Sequence, residues 1–596
     1  MRPQDLYRES ARMTEGRCQW SDVEAAIGDS LKRGELVKGH DGRITTKALL
    51  AIERATDQRL EAGRGAHRAV MSSRQFDSAL AKFERGKGFA LSDEQRIAAK
   101  MILTQGDRYQ GVQGLAGTGK TTLLSFVREA AEGQGWRVAG HSSGAEQAAT
   151  MQRESGIAST TTAAWLLQAE RAEPSPRDVK TLYVMDEASQ SGARQYLQSL
   201  TATERLGGRA VMLGDRFQHQ AVEAGRAFAR SQAHMPVATL GATSIRRQRT
   251  EHAQAAVARV LSGDHAGAVR GLRAIEANRN QQALPETATR AERRDAARQD
   301  NADVIQRLAS DYVSMPREGR DRTLVITSTN DDRQALNRAI RSGLERRGDL
   351  GASVEVATLR KADLTGIELR KSSSFEPGQV VEVREDYKRA ELARGSQWTV
   401  VEAGREALRV VDGAGRERRI DPSAIKLQAY DKETRSLAIG ERVRWTENHR
   451  AQCVDRPLED GLRVRNGAGA TVEAIAADGS RISLRTDAGE RIELETAGGQ
   501  KLDYAYASTS FSAQGVTVDR VLVHHNVESG QHGDRETYVS LTRARDDVVL
   551  YTQDLDRAAS QSGLALEKSA AHDIGPEWSP VPPPARDRDR GGPEYG

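Results

Sequence analysis

The chain has 596 residues, 38% of them hydrophobic and 29% charged, which is enough for several domains with soluble cores. Its formal net charge of +4 gives weak support for binding nucleic acid, so local arginine clusters are more informative than the total. Two cysteines, Cys18 and Cys453, exclude a disulfide framework and a thiolate zinc site. No apolar run approaches the length of a membrane span, and the N-terminus lacks a signal-peptide core. We therefore expect a cytoplasmic protein without membrane insertion.

Residues 1–85 are polar and rich in helix-forming sequence. Apolar residues recur at helical spacing in 23–31 and 46–60, and short β-prone runs flank a turn at 39–42. Helices with a small hairpin predict a winged-helix-like module. Contact with DNA and plain packing against the next domain are equally open for this module.

The next domain begins with Ser92 and Gln95, which are spaced as a helix-capping box. The Gln95 amide either only completes that box or reads the adenine edge of a nucleotide, because it offers a donor and an acceptor in one plane. We favour the second interpretation, since a phosphate-binding motif follows about one helix and one strand later.

The clearest motif is the sequence GLAGTGKT at 114–121, which fits G-x-x-x-x-G-K-[ST]. A strand-like run at 109–112 precedes it and a helical run at 122–132 follows it, the context that a phosphate-binding loop requires. A glycine-rich turn that binds nothing is the alternative. Backbone N–H groups and a helix N-terminus would hold the phosphates of ATP, and a hydroxyl would ligate Mg²⁺. The predicted nucleotide contacts are Gly114, Gly117, Thr118, Gly119, Lys120, Thr121 and Thr122.

Three further strand-like runs end in polar residues. Ser142 and Ser143 follow the run at 136–140, and they either contact DNA phosphates or only cap a helix. Asp186 and Glu187 end the run at 182–187, where a parallel sheet places its ligands. Gln218 follows the run at 210–213 and offers the neutral tip that a γ-phosphate sensor needs.

The region after residue 240 starts with Arg246 and Arg247, one of which is placed to point at the γ-phosphate, with a solvated basic pair as the alternative. We predict that 251–311 is almost entirely helical. A buried strand at 322–327 and an amphipathic helix at 330–344 then begin a second nucleotide-binding-type lobe that has no phosphate loop.

The stretch 354–495 contains short β-runs separated by glycine turns, which predicts small antiparallel barrels, two of them in tandem. We assign Trp398 and Trp445 to barrel cores rather than to base stacking. The parallel-sheet pattern resumes at 504–551, where Arg543 is a candidate charge stabiliser and Gln514 a candidate link between nucleotide and DNA. Residues 580–596 are rich in proline, glycine and charge, which predicts disorder.

The order of these motifs resembles that of superfamily 1 DNA helicases of the RecD-like branch, from residue 90 to about 551. Within that branch the chain is most similar to the helicase region of TraI/TrwC-type conjugative relaxases. Two groups of residues carry this closer resemblance: Gly214-Asp215, Gln218-His219, Val222, Ala224-Gly225 and Ala227-Phe228 in one, and Ile44-Thr45-Thr46 with Glu53 in the other.

The resemblance implies an α/β fold of two RecA-like lobes, with small β-barrels inserted in the second lobe. We expect the following ranges: an N-terminal helical module at 1–85, the first lobe at 86–240, the start of the second lobe at 241–350, the barrel insertion at 351–499, the completion of the second lobe at 500–560, and a disordered tail at 561–596.

The resemblance also assigns roles at matching positions. Gln95 becomes the adenine-reading glutamine and Gln218 the sensor. The phosphate and metal residues are Lys120, Thr121 and Asp186; the catalytic acid is Glu187; the arginine fingers are Arg247 and Arg543. At 509–515, where the family has Thr-x-His-Lys-x-Gln-Gly, this chain has TSFSAQG and so lacks the His and the Lys. The expected DNA contacts are Ser142, Ser143, Thr509, Phe511 and Gln514, with Phe511 placed to stack on a base.

The implied activity is ATP- and Mg²⁺-dependent 5′ to 3′ movement on single-stranded DNA, as the motor of a plasmid-transfer relaxase. The implied partners are the plasmid strand and other conjugation proteins such as a coupling ATPase. No His-x-His cluster with paired tyrosines occurs, so we expect that the relaxase nickase domain is missing and that the chain is a fragment or a stand-alone form. A degenerate module that only binds single strands, and an RNA helicase, are the alternatives.

Overall fold

The computed structural model describes residues 3–14, 19–39, 42–115, 117–174, 178–221, 223–241, 247–277, 279–454 and 462–565. The chain separates into two compact units, the first within 1–246 and the second over Arg247–Ala565. Cys453 is buried and is not in a disulfide. Cys18, Val222, Arg246 and most of the predicted disordered tail lie outside the described residues.

The first unit combines helices with one parallel sheet and one hairpin. Its helices are α1 (Pro3–Thr14), α2 (Trp20–Lys32), α3 (Lys47–Ala62), α4 (Ser73–Lys87), α5 (Asp93–Thr104), α6 (Lys120–Glu132), α7 (Ala145–Ser155), α8 (Thr162–Arg171), α9 (Ala193–Arg205) and α10 (Ala227–Ser231). Its strands are β1 (Leu36–Lys38), β2 (Ile44–Thr46), β3 (Tyr109–Gly114), β4 (Arg137–Ser142), β5 (Ala158–Thr161), β6 (Thr181–Asp186), β7 (Arg209–Gly214) and β8 (Val237–Leu240).

The N-terminal segment has the predicted helices and hairpin. Strands β1 and β2 pair antiparallel, with Leu36 opposite Thr46. Thr46 then caps α3, because its hydroxyl accepts a hydrogen bond from Leu49 N at 3.1 Å. An ion pair of 2.6 Å joins Asp57 of α3 to Arg230 of α10. Helix α3 is therefore fixed to the helix that connects β7 and β8 of the parallel sheet.

The sheet of the first unit has the order β5-β4-β6-β7-β3-β8, and all its pairs are parallel. Strands β3 and β7 are buried along their whole length, including the polar side chains of Gln110, Gln113 and Arg209. Because β3, β7 and β6 are direct neighbours, the segments after these strands emerge at the same carboxyl edge.

The second unit contains a parallel sheet and two antiparallel sheets. Its helices are α11 (Glu251–Leu261), α12 (His265–Arg270), α13 (Arg279–Gln282), α14 (Arg290–Ser314), α15 (Arg317–Asp321), α16 (Asn330–Arg347), α17 (Asp534–Arg543) and α18 (Leu555–Gln561). Its strands are β9 (Arg273–Glu276), β10 (Thr323–Thr327), β11 (Ser353–Lys361), β12 (Val380–Val383), β13 (Gln397–Ala403), β14 (Leu408–Val411), β15 (Glu417–Ile420), β16 (Leu427–Ala438), β17 (Arg442–Trp445), β18 (His449–Cys453), β19 (Leu462–Val464), β20 (Gly469–Ile475), β21 (Arg481–Thr486), β22 (Arg491–Glu495), β23 (Leu502–Tyr504), β24 (Ala507–Thr509), β25 (Val518–His525) and β26 (Ala544–Thr552).

The parallel sheet of this unit has the order β24-β10-β25-β26-β9. The prediction that 251–311 is almost entirely helical is wrong at β9, which pairs with β26 through Ile275 and Tyr551. This strand is short and lies at the sheet edge, where one open side permits charged residues such as Arg273. The two α/β units confirm the predicted pair of RecA-like lobes.

Two antiparallel sheets occupy the region for which barrels are predicted, with the orders β11-β16-β12-β13-β14-β15 and β19-β18-β22-β21-β20-β17-β23. The outer edge of β11 is covered by 496–500, since Ala357 N donates to Thr496 O at 2.9 Å. Trp398 and Trp445 are buried in hydrophobic clusters, so the prediction that both are core residues is confirmed.

Candidate nucleotide site and arginine pair

The predicted phosphate loop lies between β3 and α6. Gly117 and Gly119 have φ angles of +81° and +75°, a region that costs other residues energy. A Cβ atom on Gly119 would lie 2.5 Å from Gln95 Nε2, so a side chain there would displace the Gln95 amide. Lys120 Nζ donates to Gly114 O at 3.1 Å, which keeps the amine folded against the loop that carries it.

Gln95 connects the start of α5 to this loop. Its Oε1 accepts from Ser92 N at 2.9 Å, and its own N–H donates to the Ser92 hydroxyl at 3.3 Å, so the predicted capping box is present. Its Nε2 donates to Thr118 O at 3.3 Å and to Gly119 O at 3.1 Å. The buried amide therefore uses both of its groups within the protein. Adenine reading, which stays a prediction, requires that these bonds be exchanged.

The acidic pair ends β6 in a strained conformation. Glu187 has a φ of 51° and a ψ of 40°, and Glu391 is the only other described non-glycine residue with positive φ. This left-handed conformation costs about 1–2 kcal/mol for a residue with a side chain, and it is typical of functional sites. Asp186 Oδ1 accepts from Glu187 N at 2.9 Å, and no described residue donates to its second oxygen.

The sensor segment after β7 is organised by Asp215, whose role the sequence motif did not reveal. Asp215 has no exposed surface. One of its oxygens accepts from Gln113 Nε2 at 3.1 Å and from Phe217 N at 3.0 Å, and the other accepts from Gln218 Nε2 at 3.1 Å. Because Gln113 lies in β3, this carboxylate ties the sensor segment to the strand that leads into the phosphate loop.

These features occupy one edge of one sheet, and they include groups that suit a magnesium ion. The Thr121 hydroxyl follows Lys120 at the start of α6, and it donates to Glu154 Oε2 at 3.2 Å. Mg²⁺ sites typically take a hydroxyl and a single carboxylate from the protein, and water and phosphate oxygens complete the coordination shell of the ion. Within the described residues there is no cluster of three or more His, Cys, Asp or Glu side chains able to hold a metal.

The two serines after β4 differ in exposure. Ser142 lies opposite Asp186 in the sheet and has no exposed surface, so its hydroxyl cannot reach a DNA phosphate in this conformation. Contact of Ser142 with DNA stays a prediction, and Ser143 is the more accessible of the two serines in this conformation. Ser143 is half-buried, and its hydroxyl donates to Gln190 Oε1 at 2.8 Å. The neighbouring His141 is fully buried, which lowers its pKa to about 3.

The second unit brings Arg247 and Arg543 together although 295 positions separate Arg247 from Thr542. Arg247 Nη1 donates to Thr542 O at 2.9 Å. Arg543 ends α17 and is buried, and its guanidinium donates to Val539 O, Val516 O and the Thr542 hydroxyl at 3.1–3.3 Å. The structure thus joins both predicted fingers in one cluster.

The segment after Arg247 runs beside the segment after Arg543. Gln248 Nε2 donates to Ala544 O at 3.0 Å, and Arg249 N donates to Arg545 O at 2.7 Å. The Thr250 hydroxyl then donates to Asp546 O at 2.7 Å. We call this pairing of 247–250 with 542–546 the arginine seam.

The segment at 509–515 follows β24. The Thr509 hydroxyl donates to Ser512 Oγ at 3.0 Å and accepts from Ser512 N at 3.3 Å, so it caps a tight turn. The Phe511 side chain is 44% exposed, whereas Gln514 is buried. Their proposed contacts with DNA remain predictions.

A parallel sheet with a phosphate loop, an acidic pair and a sensor segment at one edge, followed by a second parallel sheet, defines the RecA-like P-loop class. In agreement, residues 90–289 match the family model described as an AAA domain.

The chain is similar over most of its length to the multifunctional conjugation protein TraI of Escherichia coli K12. The two are 26% identical over 611 residues, which are 96% of this chain and 33% of TraI. The conjugal transfer protein TraA of Rhizobium radiobacter is 26% identical over 90% of this chain and 38% of its own length. The resemblance indicated by the motifs is confirmed, and the chain spans about a third of the length of these relatives.

Solved structures of Pif1 helicases also match. One from Bacteroides, in complex with ADP-AlF3 and ssDNA, has a TM-score of 0.37 and 15% identity, and covers 79% of this chain and 94% of its own. One from Candida albicans has a TM-score of 0.37 and 15% identity, and covers 82% and 97%. These scores are low, and the fold assignment rests on the sheet topology. No helix among the described residues is long and apolar enough to span a membrane.

Proposed function

We propose that this chain is an ATP-driven motor that moves 5′ to 3′ along single-stranded DNA, as the helicase part of a conjugative relaxase. The observation that carries the proposal is the shared carboxyl edge of β3, β7 and β6, which holds the phosphate loop, Gln218 and the acidic pair. The similarity to conjugation proteins over most of the chain supports the biological setting.

The phosphate loop and α6 would bind the triphosphate. Backbone N–H groups of the loop would face the phosphates, a geometry that the positive φ of Gly117 and Gly119 permits. Lys120 would leave Gly114 O and move onto the β- and γ-phosphates. Thr121 and Asp186 would hold Mg²⁺, which would neutralise charge on the phosphate oxygens.

Hydrolysis would be carried by Glu187 and Gln218. Glu187 would accept a proton from the attacking water, and its fixed backbone conformation would hold the carboxylate in one direction. Gln218 would bond the γ-phosphate through its amide, which Asp215 holds in place. Arg247 and Arg543 would stabilise the charge that develops on the γ-phosphate.

DNA would be held mainly by its phosphates, with Ser143, Thr509 and Gln514 as contacts and Phe511 as a stacking surface. An aromatic ring that stacks on a base contributes about 1–3 kcal/mol whatever the base is. The exposure of Phe511 supports this role.

The first test is the ATPase rate with and without a single-stranded oligonucleotide. Lys120→Ala and Glu187→Gln should each abolish the DNA-stimulated rate, and Arg247→Ala should lower turnover on the order of a thousandfold. If Glu187→Gln hydrolyses ATP at the normal rate, the catalytic assignment is wrong.

The second test is unwinding of partial duplexes that carry either a 5′ or a 3′ single-stranded tail. We expect ATP-dependent strand separation from the 5′-tailed substrate alone. Tight binding of single strands together with ATPase activity that DNA does not stimulate would instead identify a loading platform.

A further inference from the structure

A surface cavity of about 1000 Å³ in the second unit is lined by one face of α14. The α14 residues that line it are single positions or adjacent pairs repeated every three or four residues: Arg290, Ala291, Arg293, Arg294, Ala297, Arg298 and Asn301. This spacing places them on a single face of the helix. None of these residues belongs to the predicted nucleotide or DNA contacts.

The charge of this cavity is strongly unbalanced. Five arginines line it, four from α14 and Arg557, against one carboxylate, Glu528. Glu528 is already paired with Arg557 at 2.7 Å and accepts from Gln281 Nε2 at 3.2 Å. Arg298 lies 3.7 Å from Asp295 of its own helix, whereas no described carboxylate pairs with Arg290 or Arg294. The α14 face therefore presents guanidinium groups that an anion from outside can bind.

The walls of the cavity are fixed by buried polar bonds. Asp300, which has no exposed surface, accepts from Asn280 N at 2.9 Å and from Gln281 N at 3.1 Å, so it anchors the chain opposite α14. The Asn301 side chain is bonded to His524 Nε2 at 2.9 Å and accepts from Gln553 Nε2 at 3.0 Å.

The cavity also lies where α/β proteins place ligands. Asn526 lines it and directly follows β25, and Gln553 directly follows β26, so the floor is the carboxyl edge of the second parallel sheet. The position in the fold indicates a ligand site, and the charge of the lining independently indicates that the ligand is anionic.

We propose that the arginine face of α14 binds successive phosphates of a single-stranded nucleic acid. Arg290, Arg294 and Arg298 are four residues apart, which separates them by about 6 Å along the helix axis. Such a row of charges suits a polymer with one phosphate per nucleotide better than one compact anion. The arginines are exposed and therefore accessible to a phosphate backbone, which receives most protein hydrogen bonds in nucleic-acid complexes. This proposal rests on the proposed function, since its ligand is the strand on which the motor would move.

The test is the salt dependence of binding to a fluorescent oligo-dT, measured by anisotropy without nucleotide. Arg290→Gln with Arg294→Gln removes two charges from exposed positions while it keeps good helix formers. Each lost phosphate contact lowers the slope of log K against log salt by about 0.7, so we expect a decrease of about 1.4. The same relation gives about a tenfold loss of affinity at about 0.2 M salt.

The matched control is Arg317→Gln with Arg338→Gln. Both arginines are exposed, lie on the neighbouring helices α15 and α16, and do not line the cavity. The control has the same charge change and should keep the wild-type slope. If both double variants lose the same affinity and slope, or if neither loses any, the proposal is overturned. Competition by polyglutamate as effective as oligo-dT would also overturn it, because the face would then select acidic peptide.

Lys120→Ala separates this proposal from the proposed function. We expect it to lose ATPase activity and to keep the full salt slope, because Lys120 is not part of the α14 face. A wild-type chain without ATPase activity, together with a reduced slope in the α14 double variant, would remove the motor and leave the nucleic-acid site established.

Discussion

Gln95→Ala tests what the amide beside the phosphate loop does. The substitution removes two hydrogen bonds to Thr118 O and Gly119 O, and also the one that Oε1 accepts from Ser92 N. Each buried bond is worth about 1 kcal/mol, so about 1–3 kcal/mol of loop positioning is at stake. We expect a loss of triphosphate affinity between about fivefold and a hundredfold.

Calorimetric titration with ATP, GTP and inorganic tripolyphosphate distinguishes positioning of the loop from recognition of the base. If Gln95 positions the loop, all three ligands should weaken by a similar factor, since tripolyphosphate has no base. Ser92→Ala is the matched control, because it weakens the start of α5 by about 1 kcal/mol and leaves both bonds to the loop in place. Normal affinity of Gln95→Ala for tripolyphosphate and GTP, with weaker ATP binding, would refute this reasoning and favour adenine reading.

Three further predictions follow from backbone conformation and burial. Gly119→Ala should weaken nucleotide binding at least as much as Gln95→Ala, because its Cβ would displace Gln95 Nε2 and its φ of +75° is strained for alanine. Gly135→Ala, with a φ of +72° and open space, should cost only about 1–2 kcal/mol of stability, and titration and urea unfolding would check both. Glu187→Gly should be more stable than Glu187→Ala by about 1 kcal/mol in urea unfolding, because only glycine relieves the positive φ, and equal stabilities would mean that no strain is stored there. The pKa of His141 is about 3 in the folded chain and about 6.5 in the unfolded chain. As the pH falls below about 6.5, the His141 imidazole is therefore protonated in the unfolded chain while it stays neutral in the folded chain. His141 should therefore support stability fully above that pH and lose up to about 1.4 kcal/mol per pH unit towards pH 3, a slope that His141→Phe should lack in urea unfolding.

The sequence predicted best the features that depend on local pattern. The strand-like runs that became β3, β6 and β7 are buried and bounded by polar loops, so their positions were readable to within one or two residues. The phosphate loop was predictable because its glycines have a backbone role that few other residues can fill. The missed β9 shows the limit, since its four residues become a strand only by pairing with β26, far along the chain.

The side-chain partners in the site were less predictable for the same reason. Asp215 was visible beside Gln218, but its bond to Gln113 depends on β3 and β7 being neighbours in the sheet. Ser142 looked available because it is polar and ends a strand, yet the pairing of β4 with β6 buries it. A sequence gives the type of each residue, whereas exposure follows from long-range packing.

The arginine seam has a consequence for how this chain tolerates change. It bonds the first residues of the second unit to a segment near that unit's end, so the rest of the unit forms a long loop closed at its base by these hydrogen bonds. The antiparallel sheets lie within that loop. Their length or sequence can therefore change while the two guanidinium groups keep their positions relative to each other. Removal of the chain from α17 onward has the opposite effect, because Arg247 then loses the carbonyl that holds it, hundreds of positions from the cut.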